Sequence, residues 1–114
     1  MQYLALIHAD EDRWDSMGDA DRQAVYARYM EFAQDDAVVG GAELQSSGAA
    51  TTVRVRDGER VVTDGPYAEV KEALGGYFVL DCASIEDACA LAAKIPAAEH
   101  GAIEVRPVYV EEAS

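Results

Sequence analysis

Basic residues are scarce in this chain, with 9 Lys and Arg against 22 Asp and Glu for a formal net charge of −13 over 114 residues. A nucleic-acid partner needs a cationic footprint to displace phosphate counterions, so DNA and RNA binding are excluded, as is adhesion to anionic membrane surfaces. Solubility is a simpler reading of the acidity than a dedicated basic partner. Cysteine is sparser still. Cys82 and Cys89 lie in apolar patterns and read as small buried hydrophobes, neither a disulfide framework nor a C-x-x-C redox pair. No apolar stretch approaches the ~20 residues of a membrane span. The first residues, MQYLALIH, lack the basic n-region of a signal peptide, so a cytoplasmic location is expected. Also missing are a glycine-rich nucleotide loop, a nucleophile elbow and a His/Cys cluster; His8 and His100 stand far apart without a cysteine at ligand spacing. Neither a cofactor nor a metal is expected on these patterns.

What is present suffices for one domain spanning residues 1–114. Half of the residues are hydrophobic, enough for one real core. Residues 3–8 read as a strand, and residues 10–18 as a polar loop carrying Trp14 and Met17. A helix is predicted over residues 20–37 behind an Asp19 N-cap, since Val25, Tyr29, Phe32 and Ala33 recur at helical spacing. A glycine-loosened strand follows over residues 38–44. The β-branched runs 51–56 and 60–63 flank Asp57-Gly58, a strong hairpin signal because a type I′ turn needs positive φ at both central positions. Residues 76–83 read as a central strand. Ser84 is expected to cap a second helix with Asp87 at its third position. Ile85, Ala88, Cys89, Ala92 and Ile95 form that helix's apolar stripe, with Pro96 as the stop. The last strand covers residues 102–110. The order is β-α-β, an inserted hairpin, then β-α-β: an α+β, ferredoxin-like antiparallel sheet with both helices on one face. Its opposite face is then uncovered, and a homodimer formed through that face is expected.

The segment with the strongest claim on chemistry is Asp64-Gly65-Pro66-Tyr67-Ala68-Glu69-Val70-Lys71-Glu72. Asp-Gly-Pro is a turn with a mechanism: the aspartate bonds nearby backbone N–H groups, glycine admits positive φ and proline sets φ. Glu69, Lys71 and Glu72 then crowd three ionisable groups together, and a carboxylate beside a lysine serves as a general base once burial raises its pKa. Gly75-Gly76 either lets the backbone approach a ligand or lets a strand begin. A structural reading stands beside the chemical one, because such turns are often only turns and Glu/Lys runs commonly decorate solvated loops.

The run TDGPYAEVKEALGGYFVLD over residues 63–81 resembles the signature of YCII-related proteins of the DGPF type, whose usual form is DGPFAE-x-KE followed by LGGYY. GGAEL at residues 40–44, TTVR at 51–54 and EVRP at 104–107 extend the resemblance over nearly the whole chain. Tyr67 stands where phenylalanine is usual. The resemblance implies a dimeric α/β-barrel and an enzymatic role on small molecules, and genes of this type beside those for alternative sigma factors imply a regulatory context. It also carries over Glu43, Arg54, Asp64, Glu69, Lys71, Glu72, Asp81, Glu104 and Arg106 as characteristic polar positions. The broader group's proposed His–Asp pair is not carried over, since neither His8 nor His100 lies in a matching segment.

Strand alternation sets Arg54 opposite Val53 and Val55, and Glu104 with Arg106 opposite Ile103 and Val105. A polar row on a face that a dimer covers must be paired or must serve a ligand. Three functions therefore compete. One is a cofactor-independent enzyme with Asp64, Glu69 and Lys71 as catalytic groups, and Arg54, Glu72, Glu43, Glu104 and Arg106 holding a small-molecule substrate. Another is a non-catalytic ligand-binding or regulatory module. In the third, the charges merely lock hairpin and dimer together.

Overall fold

The computed structural model describes residues 1–111. Its elements run β1 (Gln2–Asp10), α1 (Glu11–Asp15), α2 (Asp19–Ala33), β2 (Val38–Glu43), β3 (Thr51–Arg56), β4 (Glu59–Asp64), β5 (Glu72–Asp81), α3 (Ile85–Ala92) and β6 (Ala102–Pro107). Short 3₁₀ turns lie at Ser47–Ala49 and Pro96–Glu99. Four strands form an antiparallel sheet in the order β2-β5-β1-β6, and β3 pairs with β4 in a separate two-stranded sheet. The architecture is α+β with the helices on one side of the sheet, consistent with a ferredoxin-like fold.

Alternation decides which side chains the helices cover. Tyr3, Ala5 and Ile7 of β1 are buried, and the register sets them beside Leu80 and Phe78 of β5 and beside Val105 and Ile103 of β6. Ala88, Leu91 and Ala92 of α3 close this layer, together with Ile95 and Ala97 beyond the helix. Leu80 and Ile95 are the largest side chains buried completely, at 0% exposure. Phe32 meets Phe78 edge-on at 4.9 Å between centroids, which is the main anchor of α2.

Several elements differ from expectation in their ends. Residues 11–15 are helical, not loop, because the Asp10 carboxylate accepts from the Asp12 N–H and Glu11 and Asp12 favour the first turn. Helix α2 stops at Ala33, short of residue 37, where Asp35 turns back to accept from the Ala37 N–H. Strand β5 starts at Glu72, ahead of Gly76, and Gly75 is the extra residue of a bulge against Ile7 and His8. On α3 Ser84 caps as expected, accepting from the Asp87 N–H at 3.2 Å. Ile85 and Cys89 are exposed, however, and Leu91 takes the buried position. Strand β6 ends at Pro107, before residue 110.

The hairpin follows its turn. Asp57 and Gly58 adopt φ of 54° and 78°, as the type I′ geometry demands, and Val53 sits opposite Val62. Its base is pinned by the Gly65 N–H bonding to the Ala50 carbonyl at 2.7 Å and by Thr52 Oγ1 donating to the Gly65 carbonyl at 2.9 Å.

Candidate functional site

Between α2 and the sheet the packing does not close. Val25 and Tyr29 face the sheet yet remain half-buried, and Phe32 is the one buried residue of the helix. A cleft of about 650 Å³ fills the space they leave, within the range of small-molecule pockets. Trp14 of α1, Tyr26, Tyr29 and Met30 of α2, and Phe78 of β5 make its walls, with Glu43 from the end of β2 at the rim. Trp14 and Tyr26 meet edge-to-face at 5.1 Å, and Tyr29 stacks on Phe78 at 6.3 Å. Glu11 fixes the cleft's outer wall, accepting from the Ser47 N–H at 2.7 Å and the Ser47 hydroxyl at 2.9 Å. This joins α1 to the turn beneath the hairpin.

Glu43 accepts from the Tyr26 hydroxyl at 3.2 Å. Partial burial, and then the Glu43 charge, raise the Tyr26 phenol above its ordinary range, and burial raises that of Tyr29. The Tyr26 hydroxyl is thus held as the donor to Glu43, while at Tyr29 a backbone hydrogen bond from Ala97 partly offsets the rise. Burial, reinforced by Asp87 and Asp81, likewise raises the Cys82 thiol, which leaves it a poor nucleophile.

The positions singled out in the sequence fall at three places. Glu43 alone of them lines the cleft. Asp64 ends β4 with Glu69, Lys71 and Glu72 following, all exposed and without an ion pair or side-chain hydrogen bond among the described residues. Arg54 lies over the ring of Tyr67 at 5.5 Å, a cation–π contact tying the motif to the hairpin. The motif then runs directly into the cleft wall, which includes Ala73, Gly75 and Gly76. Gly76 has a structural reason: a Cβ there would stand 2.8 Å from the Ala42 carbonyl of β2.

Glu104 and Arg106 lie on the open face of the sheet, as alternation predicts, and are ion-paired with each other. His8, on the neighbouring strand, approaches Glu104 Oε1 through Nε2 at 3.3 Å. The Arg106 guanidinium, and to a lesser degree His8, hold the Glu104 carboxyl below the usual carboxylate range. Among the described residues no cluster of His, Cys, Asp or Glu stands at metal-holding spacing. No helix there is long and apolar enough to cross a membrane.

Trp14, Tyr26 and Met30 escaped the sequence reading as site residues. The available signal was an aromatic pair on elements that looked like loop and outer helix face. A YCII-related domain model matches residues 1–112. The chain is also 37% identical over 117 residues to an uncharacterized protein of Rhizobium meliloti (strain 1021), covering 95% of this chain and 92% of that protein.

Proposed function

The chain belongs to the YCII-related domain family, and on that footing we propose that it binds a small organic molecule in the cleft between α2 and the sheet. The observation that carries this reading is the unfilled space of about 650 Å³ under an aromatic helix face, with Glu43 at its rim. Cores close such spaces when nothing is meant to enter them. A dimeric α/β-barrel belongs to the same proposal. Leu4, Leu6, Tyr77 and Val79 leave the open sheet face partly apolar, and a second copy covers it through the same face. Cytoplasmic residence agrees with the unpaired Cys82 and Cys89.

Trp14 is the sole tryptophan of the sequence and lines the cleft, so its emission reports occupancy. A fluorescence titration against a panel of small aromatic compounds is expected to give saturable changes that Tyr29→Ala weakens. Saturable binding that leaves Trp14 emission untouched would place the ligand elsewhere. Sedimentation velocity on wild type and Leu6→Lys tests the dimer; a monomeric wild type removes it.

One observation favours a catalytic reading as well. Asp64 at the end of β4, and Glu69 and Lys71 on the loop that continues into the cleft wall, stand unpaired among the described residues, where they can supply acid/base groups to a bound ligand. Cofactor-free turnover, with Arg54, Glu72, Glu104 and Arg106 recruited across the dimer, is the form this takes. Asp64→Asn and Glu69→Gln separate the two readings: binding alone leaves both variants with wild-type affinity and no lost turnover.

A further inference from the structure

Glu43 stands in a cleft whose charge is lopsided. The ionisable groups lining it, beyond the two tyrosines, are Asp10, Glu11, Arg13, Asp15, Glu43 and His100. Asp10 is engaged as the cap of α1 and Glu11 with Ser47. Arg13 is the single permanent cation in the lining. Glu43 has spent one acceptor site on the Tyr26 hydroxyl, and a carboxylate keeps several more. Aromatic faces present their negative quadrupole to whatever enters. One cation already uses this property: the Arg22 guanidinium lies over the Trp14 ring at 5.7 Å, held by the Trp14 and Asp15 carbonyls at 3.1 and 2.8 Å.

We infer that the ligand of this cleft is an organic cation, an ammonium or amidinium compound with an apolar or aromatic body. Its charged end pairs with Glu43 beside the Tyr26 ring, and its body lies along Tyr29, Met30 and Phe78 inside the cleft. An anionic ligand of the same shape meets Glu43 and Asp15, opposed by Arg13 in the lining and by Arg22, whose guanidinium is already held over Trp14, inside a chain of net charge −13. The inference rests on the cleft being the binding site, and it adds the sign of the charge.

The test uses probes of matched shape: 2-phenylethylammonium, 2-phenylethanol and 3-phenylpropanoate, titrated at neutral pH and fixed ionic strength by Trp14 emission, with melting temperature as a second readout. The ammonium probe is expected to bind about tenfold tighter than the alcohol, and the carboxylate weakest. Glu43→Gln keeps an acceptor for Tyr26 and is expected to remove that preference, whereas Glu86→Gln, on the exposed start of α3, leaves it intact. Equal or tighter binding of the alcohol or the carboxylate overturns the cation assignment while the cleft stands. A preference that survives Glu43→Gln overturns the role given to Glu43. No response to any probe in either readout overturns the cleft and the inference together. The wild-type comparison decides the sign of the charge even if the Glu43 variant folds poorly.

Discussion

The hairpin of β3 and β4 and the sheet of β1, β2, β5 and β6 use the same antiparallel pairing, yet they keep their apolar side chains in opposite surroundings. In the sheet, Leu80 is wholly buried between Tyr3 and the helices, while on one face of the hairpin Val53, Val55 and Val62 are 59%, 63% and 54% exposed. The sheet is held by tertiary packing. The hairpin is held by its turn, its ladder and two hydrogen bonds at its base, and two-stranded ribbons alone are marginal in water. Charge separates them too. Arg54, Arg56 and Arg60 balance Asp57, Glu59 and Asp64 within the hairpin, so the whole excess of −13 resides in the remainder. When two such acidic chains meet, the hairpin is the segment with the least repulsion to overcome.

The sharpest way to break this comparison is to truncate one side chain in each region. Leu80→Ala is expected to cost about 3 kcal/mol in urea denaturation, the cost of a core cavity that cannot collapse. Val53→Ala is expected to stay within about 0.5 kcal/mol in the monomer, as exposed substitutions do. Equal costs would mean that the hairpin is buried in solution. If the Val53 cost appears only at high protein concentration, the burial is intermolecular.

Glycines sharpen it at the level of the backbone. Gly76→Ala forces a Cβ against the Ala42 carbonyl, with a strand on either side unable to yield, and is expected to cost about 2 kcal/mol. Gly58→Ala meets nothing within 4 Å but must hold φ at 78°, for about 1 kcal/mol. Thermal unfolding of both variants measures the difference. A larger loss at Gly58 would make the hairpin the more cooperative region.

The same contrast explains how much could be read from sequence. The hairpin was legible almost residue by residue, because Asp57-Gly58 is local chemistry that needs no partner. The order of the strands and the two longer helices was legible for the same reason, since alternation and caps such as Ser84 are local, whereas α1 was read as loop. Ends were less so: Leu91 rather than Cys89 faces the core because the sheet's position, not the stripe alone, sets which face of α3 is covered. The cleft was not legible at all. Val25, Tyr29 and Phe32 recur at helical spacing, and nothing in that spacing says the sheet opposite will leave space beneath them. Glu43 was reached through family resemblance, while Trp14 and Tyr26 become neighbours only once α1 folds back towards α2.

The smallest expected effect lies on the open face, where the sheet comes nearest to the hairpin in exposure. Glu104 is ionised more firmly in the folded chain than in the unfolded one, chiefly through Arg106 and then His8. Its contribution is therefore present above the unfolded glutamate pKa and is lost as pH falls through the lower folded value. Glu104→Gln is expected to flatten slightly the acid limb of a stability–pH curve and to leave the neutral limb parallel to wild type. Because Glu104 is solvent-exposed, high salt should shrink the difference. If the acid limb shifts strongly and salt does not reduce the shift, the carboxylate is shielded in solution. That is the behaviour expected when a second copy covers the sheet face, so the direction of the salt effect discriminates a bare face from a covered one.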